Sequence, residues 1–538
     1  MGAKINISLC VMSRKRKGSR LWALPSTIEQ DMKTSFDYII IGSGSGGSAV
    51  ARRLHDAGAD VAVVEAGRPS FGVSDIEDPS KWFSLQSGAW DWGHHYTPTD
   101  HILGREIAIP RGKALGGSSA TNAMMWYRGV PADYERWNAC AAGWNWQDCL
   151  PAFKASESWS EGASDLRGGE GPLKITSPNP DHPLTQAMLK GGAAMGLPLI
   201  DDPNGPEPLG VGLANFNIDG AGRRHTSAEG YLLPIIASDR LTVLTETLAL
   251  HLTFEGDRAS GVVVSGPDGE AHLTAQCGVI LAVGALETPR LLMLSGIGPE
   301  TELARLGLPV KVKAEAIGQN LQDHPLLRAL NFRASAPLGD MVGNGGGTLT
   351  IWKSDDGLPQ ADLLAFPVQG RSATPALWDE YNLDGDDVFA IGLGVMRSHS
   401  KGQIRLNAAS PTAPLDIQPN LLGDPRDLAA LLSGVEFLMD MVASQGFAPF
   451  FKDYVAPLRS DDFETFVRRS CSTFFHCCGT AQMGSHNDAP VSPRLGAKGV
   501  RGLWVADASV IPEIPACHTH APVTMIGERA ATFILEDA

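Results

Sequence analysis

Residues 36–67 read FDYIIIGSGSGGSAVARRLHDAGADVAVVEAG. They contain, in order, an apolar run, a glycine-rich turn, a helical pattern and a second apolar run closed by an acid, which is the order of a dinucleotide-binding βαβ unit. Gly42 permits the tight turn, Gly44 lets main-chain N–H groups approach a pyrophosphate, and Gly47 lets the helix pack closely on the strand. The acid, Glu65, can accept hydrogen bonds from a ribose diol. We therefore predict that an adenine dinucleotide is bound by Gly42, Gly44, Ser45, Gly47 and Glu65.

This fingerprint does not distinguish FAD from NAD. FAD-binding folds often begin with such a unit and return to the same cofactor at the C-terminus, and the strand and helix patterns within residues 476–538 suit such a return. The alternative is an NAD-dependent dehydrogenase, which predicts a colourless purified protein.

The composition is that of a globular protein, with 43% hydrophobic and 19% charged residues. A chain of 538 residues exceeds one core and predicts two or three domains. The formal net charge of -16 argues against nucleic acid and anionic membranes as partners. No apolar run reaches the roughly 20 residues of a membrane-spanning helix. The 8 cysteines show no metal-ligand spacing, so we expect a reduced, cytoplasmic protein without a bound metal.

Residues 1–35 do not fit the pattern that follows. A short apolar segment from Ile5 to Met12 precedes the basic cluster Arg14–Lys17, which reverses the order of a secretory signal. We expect a disordered basic arm, or translation that starts at Met32, and we leave these residues out of the fold.

The rest of the chain predicts an α/β protein of two main parts. A Rossmann-like dinucleotide-binding domain is expected at 36–330, with a loop-rich insertion at about 153–225 where Gly, Pro, Asp and Ser are frequent. Alternating residues over 241–283, with a turn at 267–270, predict short antiparallel strands. A second, sheet-and-helix domain is expected at 331–475, and residues 476–538 should rejoin the first sheet.

Four separated parts of the chain resemble the glucose-methanol-choline (GMC) family of flavin oxidoreductases. They are the stretch 36–67; Gly112–Asn122 with Trp126 and Gly129; Gly284–Gly298; and the C-terminal group His476–Thr480, Gly502–Ser509 and Pro515–His520. They occur in the family's order, and the resemblance covers nearly everything after residue 35. It implies a Rossmann-like FAD-binding domain, a second α+β substrate-binding domain with an antiparallel sheet flanked by helices, and oxidation of an alcohol.

The resemblance also implies further cofactor contacts. Gly116, Gly117 and Ser118 would bring main-chain amides close to the flavin pyrophosphate and ring, and Asn122 would hydrogen-bond a ring edge. Some choline-oxidising relatives attach the flavin covalently through a His directly before the equivalent of Asn122. Thr121 stands there in this chain, so we expect noncovalent FAD.

Near the C-terminus, Asp507 and Ala508 match the family's contact with the ribityl and pyrophosphate region. A helix N-cap is the alternative role for Asp507.

Alcohol oxidation needs a base for the hydroxyl proton, and histidine suits that task near neutral pH. His476 matches the family's active-site histidine, and His518 matches a second position that is Asn or His among relatives. We expect His476 to act as the leading base and His518 as donor, orienter or alternate base. His520 is expected to face the opposite side of an extended segment and to serve the flavin or the structure. His55, His182 and His486 are expected to have no catalytic role.

The residues after the Asp-His pair bear on the substrate. In choline-type relatives a carboxylate follows the Asp-His pair, whereas here Asp323-His324 is followed by Pro325–Leu327. A quaternary amine is therefore disfavoured. Phe475, Trp352 and Phe366 would suit an uncharged aromatic or heteroaromatic hydroxymethyl compound.

Other functions stay open at this point. They are a choline-like or aliphatic alcohol dehydrogenase and an FAD-containing hydroxynitrile lyase of the same fold. The electron acceptor is expected to be oxygen or a quinone-like carrier.

Overall fold

The computed structural model describes residues 33–378 and 380–538. The prediction of a disordered basic arm, or of a start at Met32, was made for residues 1–35; residues 1–32 lie outside the described residues, and Ser35 already belongs to the first strand. Among the described residues, no helix combines the length and apolar character needed to cross a bilayer.

The opening βαβ unit forms the middle of the first sheet. Strand Ser35–Ile41 pairs in parallel with Val61–Val64 on one side and with Gly269–Leu281 on the other. Its apolar run is buried on both faces, as expected for a central parallel strand. Strand Leu503–Val505, from the C-terminal part, pairs in parallel with Gly269–Leu281 in this sheet. The order of the main path is Leu248–Glu255, Arg258–Gly266, Gly269–Leu281, Ser35–Ile41, Val61–Val64, Leu241–Leu244.

The predicted antiparallel strands are only partly observed. The three strands from Leu248 to Leu281 form an antiparallel meander with a turn after Gly266. Strand Leu241–Leu244, however, lies parallel to Val61–Val64 at the opposite edge of the sheet. Its prediction as antiparallel was wrong because alternation indicates a half-buried strand but carries no information on its partner.

A second, eight-stranded sheet is formed by residues from 199 to 473. Its strands run antiparallel except for one short edge pair, Leu199–Ile200 with Gly210–Leu213, and Cys471–Thr473 also pairs with the strand that starts at Pro325. The order is Phe451–Ala456, Pro325–Ala334, Val388–Val395, Leu363–Val368, Thr348–Trp352, Gly210–Leu213, Leu199–Ile200.

Residues 153–225, expected as a loop-rich insertion, also contain regular structure. Helix Pro183–Ala194 lies within them, and strand Gly210–Leu213 extends the second sheet by pairing with Thr348–Trp352. The second sheet includes Pro325–Ala334, so a boundary at 330/331 falls inside a strand. A strand paired across a long stretch of chain leaves no local signal in composition, which is why this segment resembled a loop.

Smaller elements complete the fold. Three strands, Gln319–Leu321, Gly402–Leu406 and Leu415–Gln418, form one sheet; the pairs Ile297–Gly298 with Val312–Lys313, His94–Tyr96 with Ile107–Ile109, and Glu157–Trp159 with Leu173–Ile175 form others. The remaining α-helices are Ser45–Asp56, Ser74–Glu77, Pro131–Cys140, Trp146–Ser156, Gly284–Leu294, Glu300–Arg305, Pro375–Trp378, Pro425–Ala443, Phe463–Ser470 and His520–Asp537.

Close packing of the first and last helices brings the two ends of the described chain together. A Cβ on Gly46 would lie 2.0 Å from the Ala506 carbonyl oxygen, and one on Gly527 would lie 2.4 Å from the Gly46 carbonyl oxygen. Only glycine allows this approach. The first turns of helices Ser45–Asp56 and His520–Asp537 therefore face the same cavity.

Candidate active site

One cavity is lined by residues of both sheets. The first sheet contributes the glycine turn and Glu65, the second contributes Leu326 and Phe366, and the C-terminal part contributes His476 and His518. The structure thus brings together most of the residues predicted for cofactor binding and catalysis. Those that line the cavity are Gly42, Gly44, Ser45, Glu65, Gly117, Ser118, Asn122, His476, Asp507, Ala508, His518 and His520.

Two predicted cofactor residues lie behind the cavity wall. Gly47 packs under the turn, where a Cβ would lie 2.0 Å from the Gly42 carbonyl oxygen. Gly116 has a φ of 94°, a conformation that favours glycine, and its N–H donates to Ser43 Oγ at 2.9 Å. Both glycines shape the wall rather than face the cavity.

Glu65 is held inside the wall by two parts of the chain. One carboxylate oxygen accepts from Ser43 N at 3.0 Å and Ser43 Oγ at 2.6 Å, and the other accepts from Gly67 N at 2.7 Å. Burial raises the pKa of Glu65, and these hydrogen bonds oppose the rise. Since the N–H of Gly116 also donates to Ser43, Glu65 holds the segment Gly112–Asn122 in position through Ser43.

Asp507 is committed to structural hydrogen bonds. Its carboxylate accepts from Ser509 N at 2.8 Å, as an N-cap, and from Gly284 N at 2.9 Å and Thr288 Oγ1 at 2.6 Å. The side chain has the capping role given above as the alternative. It also links the segment Gly284–Gly298 to the C-terminal segment Gly502–Ser509 by hydrogen bonds. Asp507 still borders the cavity.

Asn122 has a neighbour that the sequence did not indicate. Its Oδ1 accepts from Met124 N at 2.9 Å and from Arg224 Nη1 at 3.0 Å, so any contact with a ligand falls to Nδ2. Arg224 is buried, and burial lowers its pKa to about 9.

His520 links the C-terminal segment to the glycine turn of the opening βαβ unit. Its Nδ1 lies 2.7 Å from Ser45 Oγ, and its Nε2 is buried without a partner among the described residues. Burial, with a smaller effect from Arg224, lowers the pKa of His520 to about 4, so the ring is neutral at pH 7. His520 begins a helix rather than continuing an extended segment, and it lies against the glycine turn.

His476 and His518 meet edge to face. Their ring centroids are 5.0 Å apart, and Phe474 stacks on His476 at 4.6 Å. Burial lowers the pKa of His518 to about 3 and that of His476 well below its usual value, and nearby imidazoles add to the effect on His476. Both nitrogens of His518 are buried without a partner among the described residues, which suits contact with a bound ligand.

A third histidine contacts this pair. His324 Nδ1 lies 2.8 Å from His476 Nδ1, and burial, then the nearby His518, lowers the pKa of His324 to about 3. Sequence reasoning used His324 only as part of the Asp-His motif. Its neighbour in the chain, Asp323, accepts from the main-chain N of both His324 and His476 at 2.8 Å with one oxygen.

The backbone at the histidine pair is strained. Phe475, directly before His476, has a φ of 67°, in the left-handed region that non-glycine residues rarely adopt. Its N–H donates to Thr473 Oγ1 at 2.7 Å and its carbonyl accepts from Arg111 Nη2 at 2.5 Å. These bonds hold the turn that directs His476 into the cavity.

The aromatic residues proposed for the substrate separate into two groups. Phe366 and Phe475 line the cavity, together with Trp82 and Phe83, which sequence reasoning missed. Trp352 is instead buried in the core, stacked on Phe437 at 4.8 Å, so its proposed role was wrong. Strand alternation indicates that a residue is buried, but not which of two buried faces it occupies.

The cavity fits an FAD. A Cβ on Gly44 would meet no atom within 4 Å and would project into open space at the turn, so glycine leaves room there for a ligand. The helix that begins at Ser45 presents its N-terminus at this point, which suits a pyrophosphate. Both nitrogens of His518 and Nε2 of His520, which find no partner in the described part of the chain, belong to residues that border the same cavity.

The chain matches known families along most of its length. Family models described as GMC oxidoreductase match residues 36–326 and residues 398–527. It is 35% identical over 513 residues to pyridoxine 4-oxidase from Microbacterium luteolum, covering 92% of this chain and 99% of that protein. It is 33% identical over 535 residues to an oxygen-dependent choline dehydrogenase from Brucella anthropi, covering 93% of this chain and 95% of that protein.

The fold of the chain is also similar to the solved structures of two oxidases. Pyridoxine 4-oxidase from Mesorbium loti superposes with a TM-score of 0.88 at 30% identity, covering 92% of this chain and 98% of that one. A formate oxidase superposes with a TM-score of 0.86 at 26% identity, covering 94% of this chain and 98% of that one.

Proposed function

The chain belongs to the GMC oxidoreductase family of FAD flavoproteins that act on alcohols, and from that premise we propose that it oxidises a primary alcohol to an aldehyde with His476 as the base. The observation that supports the proposal is the pair His476–His518 in the same cavity as the glycine turn. Bound FAD supplies the two-electron acceptor, which takes the hydride from the carbinol carbon.

The hydrogen-bond arrangement supports His476 as the base. The short contact between the two Nδ1 atoms of His324 and His476 needs one donor and one acceptor, and Nε2 of His324 has no hydrogen-bond partner among the described residues. We assign the proton of His324 to Nε2. His324 Nδ1 is then the acceptor, and His476 Nδ1–H is the donor.

With that tautomer, the lone pair of His476 is on Nε2. His476 borders the cavity, so this nitrogen is available to take the hydroxyl proton. Because burial holds its pKa well below the usual value, the ring is neutral at pH 7 and Nε2 carries a free lone pair. We propose that His518 donates to, or orients, the same hydroxyl oxygen.

An aromatic or heteroaromatic hydroxymethyl compound is the proposed substrate. Phe366, Phe475 and Phe83 give the cavity an aromatic lining. Leu326, in the segment that lacks the choline-type carboxylate, also lines it, which disfavours a quaternary amine. The likeness to pyridoxine 4-oxidase favours a hydroxymethylpyridine type of alcohol over choline or aliphatic alcohols.

We further propose that FAD is bound noncovalently. Thr121 occupies the position at which some relatives carry a flavin-linked histidine, and its hydroxyl is a weak nucleophile. Denaturing the protein with acid should release all yellow colour into the supernatant, whereas colour that stays with the pellet would contradict the proposal.

Anaerobic addition of alcohols to the purified holoprotein tests the main proposal. Oxidation of benzyl alcohol or pyridoxine should bleach the oxidised flavin absorbance and yield one aldehyde per flavin. A hydroxynitrile lyase would leave the absorbance unchanged while splitting a hydroxynitrile such as mandelonitrile, and that result would reject the proposal. Repeating turnover with oxygen and with an artificial dye identifies the acceptor, which we propose to be oxygen or a quinone-like carrier.

A further inference from the structure

Arg328 presents a cation to the cavity. It lines the cavity, and its guanidinium makes neither a hydrogen bond nor an ion pair with any residue in 33–378 or 380–538. The carbon of the guanidinium lies 5.8 Å from the centre of the Phe83 ring and 5.7 Å from that of Phe475. Since Phe475 directly precedes His476, Arg328 is at the reactive end of the cavity.

An irregularity in the second sheet directs this side chain. Strand Pro325–Ala334 pairs with Val388–Val395 so that Leu327 faces Leu393 and Leu330 faces Ile391. Two residues of one strand therefore stand opposite one residue, Gly392, of the other, which is a β-bulge. Bulges commonly re-aim a side chain next to an active site. Arg328 is the first of the two bulge residues, and both Arg328 and Gly392 line the cavity.

An unpaired cation in this position is unfavourable in the absence of a ligand. Burial lowers the pKa of Arg328, and no charged neighbour contributes. A guanidinium nevertheless stays protonated, so its charge must find a partner or bear the desolvation cost. The next arginine of the same strand, Arg333, is paired with Asp387 at 2.5 Å. The buried Arg167 is paired with Glu157 at 2.9 Å.

The other charged groups of the cavity wall are already engaged. Glu65 and Asp507 are held by the hydrogen bonds described above. Glu287 pairs with Arg290 at 2.9 Å, and Arg111 donates to the main-chain oxygens of Pro110 and Phe475. No carboxylate among the described residues of this wall is therefore free to neutralise Arg328. A neutralising charge would have to come from a bound molecule or from solvent, and Arg328 lies beside Phe475, next to the histidine pair where the alcohol would bind.

We propose that Arg328 binds a carboxylate on the alcohol substrate, so that the preferred substrate is an aromatic or heteroaromatic alcohol bearing an acid group. The planar guanidinium can hold a carboxylate with two parallel hydrogen bonds, and Phe83 and Phe475 flank it with aromatic surface. This inference rests on the proposed function and replaces the expectation of an uncharged ring. It also explains why a cationic substrate such as choline would be rejected.

A matched pair of alcohols tests the inference in the holoenzyme. With an artificial dye as acceptor, 4-(hydroxymethyl)benzoate should show a kcat/KM about 10- to 100-fold above that of 4-methylbenzyl alcohol, the gain expected for a hydrogen-bonded charge. Arg328→Met should abolish that preference and change kcat/KM for 4-methylbenzyl alcohol by less than about threefold. Arg328→Lys should restore part of it. Arg333→Met, on the same strand but paired outside the cavity, should leave the preference intact.

Benzoate provides a readout that needs no turnover. It should perturb the flavin absorbance of wild type and compete with the alcohol, and Arg328→Met should weaken its binding about 10-fold or more. If neutral alcohols are oxidised but neither the preference nor benzoate binding is seen, the inference is overturned while the proposed function stands. If benzoate binds through Arg328 but no alcohol is oxidised, the proposed function fails instead. Equal losses for both alcohols in Arg328→Met would also overturn the inference.

Discussion

The Nδ1 atoms of His324 and His476 lie 2.8 Å apart, although 152 positions separate the two residues in the chain. Asp323 fixes this relationship through its hydrogen bonds to both main-chain N–H groups, and its second oxygen accepts from Tyr96 Oη at 2.6 Å. Burial raises the pKa of Asp323, while the hydrogen bonds oppose the rise. One buried carboxyl group thus aligns two imidazoles of the site.

Replacing His476 should separate cofactor binding from chemistry. We expect His476→Ala to bind FAD normally but to reduce the rate of anaerobic flavin reduction by an alcohol about 10²–10⁴-fold, the usual cost of losing a base. Stopped-flow absorbance measures both quantities. His486→Ala, at an exposed histidine, is the control. A rate within about threefold of wild type in His476→Ala would reject His476 as the base.

His324 should act as a positioning residue. In His324→Ala the acceptor for His476 Nδ1–H is lost, so kcat should fall about 10- to 100-fold, as for other outer partners of a functional histidine. His324→Asn places an amide oxygen near the former Nδ1 and should recover part of the loss. The pH profile of kcat distinguishes this role from simple packing. If Ala and Asn variants behave alike and the profile is unchanged, the tautomer assignment is wrong.

Two glycines of the first motif should respond differently to alanine. Gly44→Ala places a methyl group in open space at a φ of -65°, so the protein should fold normally but contain less FAD. Gly47→Ala places it 2.0 Å from the Gly42 carbonyl oxygen, so the free energy of unfolding should fall by about 1–3 kcal/mol. FAD content and thermal unfolding of the FAD-free protein measure the two effects. Equal loss of stability in both would contradict this account.

The buried histidines should make the stability depend on pH. His518 has a pKa of about 3 in the folded protein against 6.5 when exposed, so the unfolded chain takes up a proton that the folded protein resists. Stability is therefore full above pH 6.5 and falls as the pH drops toward about 3. Neighbouring carboxyl groups with raised pKa values, such as Asp323, act in the opposite direction.

A comparison of variants isolates the histidine contribution to that pH dependence. Between pH 7 and pH 4 the melting temperature of His518→Asn should fall less steeply than that of wild type, because one imidazole no longer titrates. Differential scanning calorimetry of both holoproteins gives the two slopes. Parallel curves would show that His518 is not buried in its neutral form.

The sequence by itself determined the cofactor half of the molecule. Gly42, Gly47 and Glu65 lie within one short stretch whose strand, turn and helix follow from local backbone geometry, and the structure contains that strand, helix and second strand. The family motifs likewise placed His476 and His518 together. Local patterns suffice there because a pyrophosphate is recognised by main-chain groups of a contiguous turn.

Only the tertiary structure decided the substrate half. The contact of His324 with His476, the burial of Trp352 away from the cavity and the orientation of Arg328 depend on how distant strands pair. A shift of one residue in pairing turns a side chain to the other face of a sheet, and the bulge opposite Gly392 is such a shift. No local pattern encodes the partner of a strand, so the unpaired guanidinium became visible only in the folded chain.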